Sequence, residues 1–321
     1  MLLMKSKLLS ILLIAFAFIL PIFTPEAYLY VIGLAYLFAI AVVSWDIITG
    51  YTGQVNLGHT VFIGLGAYTS ALLQVPSRIG LSFKVPIFLS ILTGGVVSAV
   101  FGFIIGSITL RLRGYYFALV TAVLPLVFMQ TVFIWSDVFG GEEGFSIGFE
   151  NAFAKTVIGR YYIALIILIV CTAIMWLIVR SNIGLKFKAI REDEQLAESI
   201  GIDTTKYKVL AFVISAFFAG ISGASIVHYR ITVSPDLYDI PLMLLITLSA
   251  VMGGLGTIYG PLLGGIFIYL AKNWWIKEIT KGLMFPIDEI VLYILLIAFG
   301  ILMPEGLYVE IRKRFKKSNN L

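Results

Sequence analysis

The sequence has few charged residues, a single cysteine and two histidines. Asp, Glu, Lys and Arg make up 13% of its 321 residues, against about 25% in an average soluble domain. Cys171 lies inside an apolar run, so the chain offers neither a disulfide framework nor a CxxC metal cluster. His59 and His228 have no third ligand at metal-binding spacing. We therefore predict that the chain holds no metal ion.

Motifs for catalysis are missing as well. The sequence contains no Walker A loop, nucleophile elbow, zinc signature or dinucleotide fingerprint. We predict that the chain is not an enzyme, needs no cofactor and does not hydrolyse ATP by itself. Its net charge is +5, but the basic residues lie in the gaps between apolar runs, where membrane topology accounts for them. We therefore predict no nucleic-acid partner.

Long apolar runs dominate what is present. Hydrophobic residues make up 60% of the chain, and many runs reach the length of about 20 residues that crosses a bilayer core. This pattern predicts an all-α, polytopic membrane protein. The candidate spans are residues 8–23, 27–48, 59–75, 86–108, 115–135, 161–180, 207–228 and 287–303.

The run Pro241–Ala271 is too long for a typical single span. It is interrupted by Gly253, Gly254, Gly256, Gly260 and Pro261. Basic residues near both ends of the chain predict cytoplasmic termini and an even number of crossings. These residues are Lys5, Lys7, Arg312, Lys313, Arg314, Lys316 and Lys317. Two short crossings within 241–271 give ten spans and a re-entrant hairpin gives eight. We predict about ten, in a single transmembrane domain over residues 1–321.

Small residues at four-residue spacing occur in several of these runs. Such spacing lets helix backbones approach closely in lipid, and we predict packing seams rather than a site. The seams are Gly102–Gly106, Ala216–Gly220–Ala224 and Gly256–Gly260–Gly264.

The stretch Asp46–His59 is polar and rich in glycine, yet it carries no lysine or arginine. An aqueous loop usually carries more charge, and unwound backbone at membrane depth is tolerated only inside protein or along a water-filled path. We therefore predict a substrate path here. Its candidate residues are Asp46, Thr49, Gln54, Asn56 and His59.

Asp46 has two interpretations. It is the only acidic residue deep in an early span, and because inserting such a group costs about 3 kcal/mol it is a candidate functional residue. The alternative is structural, with the carboxylate capping the broken end of its own helix. The sequence leaves both open.

A charged segment, residues 180–208, lies between two apolar runs. Apolar residues recur in it near helical spacing and end at Gly201, which predicts an amphipathic helix. One interpretation is a cytoplasmic coupling segment, residues 181–206, that docks on a soluble ATPase; the other is a helix lying on lipid headgroups. The candidate coupling residues are Phe187, Ile190, Arg191, Glu192, Leu196, Ala197, Glu198 and Gly201.

Several stretches carry a family resemblance. The run Ser44–Tyr68 resembles the signature of the permease subunits of branched-chain amino acid ABC importers, the LivM and LivH family. Three further stretches resemble the M-type subunit more specifically: Arg111–Thr121 with Gly140–Gly144, Gly184–Gly223 and Gly253–Pro261. The chain departs from the family's usual pattern at two places. Met303–Leu307 lacks the arginine that the family commonly has there, and Val55-Asn56 replaces the commoner Leu-Ser.

The resemblance implies a larger-channel type of ABC importer permease with about ten helices, in the inner or plasma membrane. It implies transport of leucine, isoleucine and valine by alternating access. The implied partners are a second, LivH-like permease, two cytoplasmic ATP-binding cassette subunits and an external substrate-binding protein. Two alternatives stay open: the same architecture carrying urea or other amino acids, and an ion-coupled secondary transporter with Asp46 as its coupling site.

Overall fold

The structure, a computed structural model, describes residues 15–111 and 114–276, with residues 278, 290, 293–294 and 297–298. The described chain is a helical bundle. Its main helices are α1 (Glu26–Thr52), α2 (Thr60–Gln74), α3 (Ile87–Thr109), α4 (Tyr115–Ile134), α5 (Val157–Arg180), α6 (Asn182–Glu192), α7 (Glu194–Ser199), α8 (Thr204–Arg230), α9 (Ile240–Gly253) and α10 (Tyr259–Leu270). Short helical turns lie at Leu20–Ile22, Pro76–Ile79, Ser136–Phe139, Phe149–Asn151, Pro235–Tyr238 and Ala271–Ile276.

The helical membrane architecture is confirmed over the described residues. Helices α1, α3, α4, α5 and α8 have 20 to 27 residues and are long and apolar enough to cross a membrane. Helices α2, α9 and α10 have 15, 14 and 12 residues. Each of these three therefore covers at most about 22 Å of a hydrocarbon core of roughly 30 Å.

The number of ten spans stays a prediction. It depends on residues 8–14 and 287–303 and on the basic residues near both termini, all of which lie wholly or largely outside the described residues. The departure at Met303–Leu307 lies outside them too.

Helix α1 forms the centre of the bundle. Every residue from Ile32 to Thr52 is buried, as expected for a helix that is apolar all round. It packs against α5, α8 and α10. Two hydroxyl groups of α8 donate to carbonyl groups of α1: Ser215 to Ser44 at 2.7 Å, and Ser222 to Leu37 at 2.8 Å. These bonds fix α8 along the length of α1.

The predicted seam of small residues on α8 is confirmed. Gly66 of α2 lies so close to Gly220 that an added Cβ would collide with its backbone. A Cβ at Gly102 of α3 would come within 2.6 Å of the Ala216 side chain, and one at Gly94 within 3.2 Å of Ala224. The seam therefore brings α2, α3 and α8 together.

Helices α9 and α10 form an antiparallel hairpin. Gly253 lies against Gly260 beside the turn, and Gly264 lies against the carbonyl of Ser249 farther along. The run 241–271 thus breaks where its glycines predicted a break.

The hairpin extends along most of α1. Its turn, residues 254–258, lies against Gly50, and beyond its other end Trp274 stacks on Tyr28, with ring centroids 4.3 Å apart. Residues 28 to 50 of an α-helix cover about 33 Å, close to the thickness of a hydrocarbon core. This depth supports two short crossings over a shallow re-entrant loop.

The two ends of the bundle differ in composition. We call the end that carries α6 and α7 the Arg191 end and the opposite end the Arg230 end. At the Arg230 end two strands, β1 (Phe145–Ser146) and β2 (Thr232–Val233), pair antiparallel with Phe145 opposite Val233. This small ladder is the departure from an all-α chain that the described residues show.

Candidate functional site

Four residues at the Arg191 end bring three elements of the bundle together. Oδ1 of Asp46, in α1, accepts a hydrogen bond from the backbone N–H of Gly256 at 2.8 Å. Arg191, in α6, donates from Nη1 to the carbonyl oxygen of Gly50. A Cβ at Gly50 would collide with the Asp46 carboxylate, and one at Gly256 with the Arg191 guanidinium. We call these four residues the Asp46 junction; it links α1, α6 and the turn of the α9–α10 hairpin.

The structural interpretation of Asp46 named the wrong helix. Helix α1 continues past Asp46 to Thr52, so this carboxylate does not cap the broken end of α1. It binds the turn of the hairpin instead, where Gly254 and Gly256 have φ of 109° and 74°. These positive angles take the chain out of the helix and leave the N–H of Gly256 to be satisfied by a side chain.

The break between α1 and α2 covers residues 53–59, so only the second half of the stretch Asp46–His59 has irregular backbone. It is held against α1 by side chains of α1 itself. Trp45 donates from Nε1 to the carbonyl of Asn56 at 2.6 Å, and Thr49 donates from Oγ1 to the carbonyl of Gln54 at 3.1 Å. The indole and the hydroxyl thus satisfy carbonyl groups that no helix ladder reaches.

His59 ends the break and is fully buried. Its Nε2 lies 2.9 Å from the Ser44 hydroxyl and 3.2 Å from the carbonyl of Ala41. His228 is equally buried, with Nδ1 2.7 Å from the carbonyl of Asn151. Both histidines therefore make their hydrogen bonds inside the bundle.

Three buried polar atoms near the break have no hydrogen-bond partner among the described residues. They are Oδ2 of Asp46, Nδ2 of Asn56 and Nδ1 of His59. Each of these residues is at most 1% exposed, so no solute reaches them in this conformation. Unpaired buried polar groups are uncommon in native proteins, and all three belong to residues of the predicted substrate path.

The charged segment that was predicted to form one amphipathic helix contains two, α6 and α7. Asp193 separates α6 from α7, because its Oδ1 accepts the backbone N–H of Leu196 at 3.0 Å and so starts a new helix. Gly201 ends α7 with φ of 88°. The break turns the chain between the two helices.

The candidate coupling residues divide into two groups. Phe187, Ile190 and Ala197 are buried, so they hold the helices on the bundle and are not a docking face. Leu196 and Ile200 are 60% and 69% exposed. Ile200 was not among the candidates; the other exposed candidates are Arg191, Glu192, Glu198 and Gly201.

Both short helices are tied to the start of α8: Lys186 of α6 donates from Nζ to the hydroxyl of Tyr207, and α7 makes two further contacts. Lys208 forms an ion pair with Glu194 at 2.7 Å, with side chains 3% and 22% exposed. The hydroxyl of Thr204 donates to Glu198 at 2.6 Å. A force on α6 or α7 therefore reaches α8 through these contacts and α1 through Arg191.

A cavity of about 230 Å³ opens at the Arg230 end between α1, α2, α8, α9 and α10. Sequence reasoning missed it. A signal was present, because Arg230, Asp236 and Asp239 are the only charged residues between Lys208 and Lys272. All three line the cavity.

Within residues 15–111 and 114–276, no three His, Cys, Asp or Glu side chains come together as a metal site requires. The polar groups of the Asp46 junction are one carboxylate, one guanidinium and backbone amides, which suit hydrogen bonding to a zwitterion or a neutral solute.

Interrupted apolar helices that hold unpaired buried polar groups, with charged helices tied to them at one end, are features expected of a membrane transport permease. The chain belongs to the family described as branched-chain amino acid transport system / permease component, whose model matches residues 27–300.

The chain is similar to several curated permeases along most of its length. It is 26% identical to the high-affinity branched-chain amino acid transport system permease protein LivM of Salmonella typhimurium, over 97% of this chain and 77% of that protein. It is 22% identical to LivH of Escherichia coli, over 84% and 90%. It is also 27% identical to the D-allose transport system permease protein AlsC of Escherichia coli, over 67% and 71%. No solved structure matches the chain significantly.

Proposed function

We propose that the chain is the permease subunit of an ATP-driven importer of leucine, isoleucine and valine. The observation that carries this proposal is the hydrogen bond from Arg191 to Gly50. It joins helices exposed to the aqueous phase directly to the interrupted helices inside the bundle. A chain without a Walker motif needs such a link to a motor outside it. The solute class follows the names of the LivM and LivH relatives.

The motor in this proposal is a pair of cytoplasmic ATP-binding cassette subunits. Residues 181–206 dock on one of them through Leu196 and Ile200, whose exposed apolar side chains stand among charged neighbours. A second permease subunit completes the path, and an external binding protein delivers the solute. Helices α3, α4 and α5 have broad exposed apolar faces, which suit lipid and a second permease.

The proposed orientation puts the Arg191 end in the cytoplasm. Arg180, Lys186, Lys188, Arg191 and Lys206 lie in the charged segment at this end, and basic residues concentrate on the cytoplasmic side of membrane proteins. Both termini are then cytoplasmic if the chain crosses ten times.

The proposed mechanism is alternating access. When the ATPase subunits bind ATP and close, α6 and α7 move with them, and Arg191 carries this motion to α1 and to the hairpin turn. The break at residues 53–59 then opens. Asp46, Thr49, Gln54, Asn56 and His59 would line the opened path, and the unpaired atoms of Asp46, Asn56 and His59 would bind the solute.

The ion-coupled alternative explains less. A secondary transporter with Asp46 as its coupling site needs no motor, so the exposed Leu196 and Ile200 and the ties of α6 and α7 to the bundle would have no role. The similarity to AlsC, a protein named for D-allose transport, is consistent with the other alternative, the same architecture with a different solute.

The test is reconstitution of the tagged chain, with the subunits that co-purify, into liposomes. We expect uptake of radiolabelled leucine that requires ATP on the Arg191 side and an added binding protein, and that persists when ionophores collapse the ion gradients. Uptake by the chain alone, abolished by ionophores, would replace this proposal with the ion-coupled one.

A further inference from the structure

The cavity at the Arg230 end combines a charged mouth with an apolar interior. Arg230 Nη1 lies 3.0 Å from Oδ2 of Asp236 at the mouth, where the two side chains are 36% and 46% exposed. Asp239, which is exposed, and Lys272, which is half-buried, also line the cavity. Charges of both signs thus stand a few ångströms apart in a site that water reaches.

The interior wall is aliphatic and aromatic. It is formed by Leu34 and Phe38 of α1, Ile63 of α2, Ile226 of α8 and Leu245 of α9, all of which are buried. The volume of about 230 Å³ falls below the range of roughly 300–1,000 Å³ that drug-sized ligands occupy. It suits a solute the size of one amino acid.

We infer that this cavity is a binding site for a zwitterionic aliphatic amino acid within the permease itself. Its α-carboxylate binds the guanidinium of Arg230, its ammonium group binds Asp236 and Asp239, and its branched side chain enters the wall of Leu34, Ile63 and Leu245. This inference rests on the proposed function, whose solute it locates.

The chemistry of the site distinguishes among solutes of the family. An arginine binds a carboxylate through paired N–H donors, and the carboxylates opposite accept from an ammonium group. A sugar such as allose offers neither charge and carries hydroxyl groups on all sides, which the apolar wall would leave unpaired at a cost of about 1–3 kcal/mol per group. The cavity therefore favours an amino acid over a sugar.

The position of the cavity is also informative. It lies at the end of the bundle opposite Arg191, where a binding protein would release its solute in the proposed orientation. It extends along α1 to Ala41, whose carbonyl oxygen lies 3.2 Å from Nε2 of His59, a residue of the predicted path. We expect it to be the first site that the solute occupies in the permease.

The test is protection of a cysteine in the cavity. Cys171 is buried and is replaced by alanine, and Leu242, a half-buried residue of α9 at the cavity, is replaced by cysteine. The whole complex, without binding protein, is treated with a small charged thiol reagent. We expect leucine to slow the labelling severalfold, glycine to slow it less, and allose to leave it unchanged.

Two controls define the result. Ser77→Cys, an exposed residue of the turn Pro76–Ile79 outside the candidate spans, should be labelled at a rate that leucine does not change. The double variant Arg230→Gln with Asp236→Asn removes both charges without leaving either unpaired, and should raise the leucine concentration for half-protection roughly tenfold or more. The matched pair Lys84→Gln with Glu150→Gln neutralises an exposed ion pair outside the cavity and should leave that concentration unchanged.

The outcomes separate this inference from the function on which it rests. If the complex takes up leucine with ATP but leucine does not protect the cysteine at position 242, the cavity is not the site and the importer proposal stands. Equal protection by allose would also overturn the inference. If the complex takes up no branched-chain amino acid, the proposed function fails and the inference fails with it.

Discussion

The carboxylate of Asp46 and the backbone N–H of Gly256 are hydrogen-bonded at 2.8 Å across 210 residues of sequence. The bond joins the central helix to the turn of the hairpin that packs along it. Arg191 donates to the carbonyl of Gly50, which lies one helical turn after Asp46. The charged helix α6 therefore contacts α1 close to the place where the hairpin turn does. A motion of α6 therefore acts on both interrupted parts of the bundle at once.

This bond predicts different outcomes for two substitutions of Asp46. Asp46→Asn keeps an oxygen that accepts the Gly256 N–H, so we expect normal assembly and ATP-driven transport. Asp46→Ala leaves that N–H unpaired and should destabilise the protein by about 1–3 kcal/mol. Thermal melting in detergent and leucine uptake measure the two effects. An Asp46→Asn protein that assembles but does not transport would show that the ionised carboxylate is needed.

The sequence predicted the elements better than their contacts. The apolar runs located α3, α4, α5 and α8 to within a few residues, because a bilayer imposes length and hydrophobicity on each span separately. Asp46 shows what the sequence did not predict. Its hydrogen-bond partner, Gly256, depends on how a hairpin far along the chain packs on α1, and no local sequence pattern specifies that packing.

The coupling segment shows the same limit at short range. Helical periodicity grouped Phe187 and Leu196 on one face, but Asp193 starts a new helix between them, so Phe187 is buried while Leu196 is exposed. The cavity at Arg230 was missed for a related reason: two charges at the end of a span indicate an interface, and the apolar wall behind them appears only when five helices are assembled.

Leu196 and Ile200, the exposed apolar residues at α7, predict a docking contact that an added charge would weaken. Leu196→Asp should greatly reduce recovery of ATPase subunits with the tagged chain, because a carboxylate would replace an apolar group at the proposed docking surface. Gln195→Asp adds the same charge at the neighbouring exposed position and should have a smaller effect. Equal loss in both variants would point to general electrostatics. Unchanged recovery, with a loss of binding to anionic lipid, would favour the headgroup interpretation.

Gly201 predicts an effect of backbone conformation alone. Its φ is 88°, and a Cβ placed there would meet no atom within 4 Å, so a side chain has room but the backbone is strained. Gly201→Val should cost roughly 1–2 kcal/mol and distort the end of α7. We expect ATP hydrolysis to be uncoupled from uptake in a folded protein. Gly201→Asn should be milder, since asparagine tolerates this region better. Equal coupling in wild type and both variants would contradict a role for the end of α7.

Arg191 provides the most direct test of coupling. Arg191→Ala removes the donor to Gly50 but leaves Phe187 and Ile190 buried under α6, so the helix should stay in place. We expect reconstituted complexes to hydrolyse ATP at a near-normal rate while leucine uptake falls at least about tenfold, because the motion of α6 no longer reaches α1. Glu198→Ala, which loses its bond from Thr204, should uncouple in the same direction.

Lys84→Ala is the control for this result. It removes an exposed cation at the opposite end of the bundle and should leave the rates of ATP hydrolysis and leucine uptake unchanged. Arg191→Lys separates charge from geometry: a lysine keeps the cation but cannot reproduce the planar guanidinium beside Gly50 and Gly256, so we expect partial coupling. If Arg191→Ala transports leucine at the wild-type rate per ATP hydrolysed, the link through Gly50 is not the route by which ATP drives this permease. The motion would then have to pass through Glu194 and Lys208 into α8.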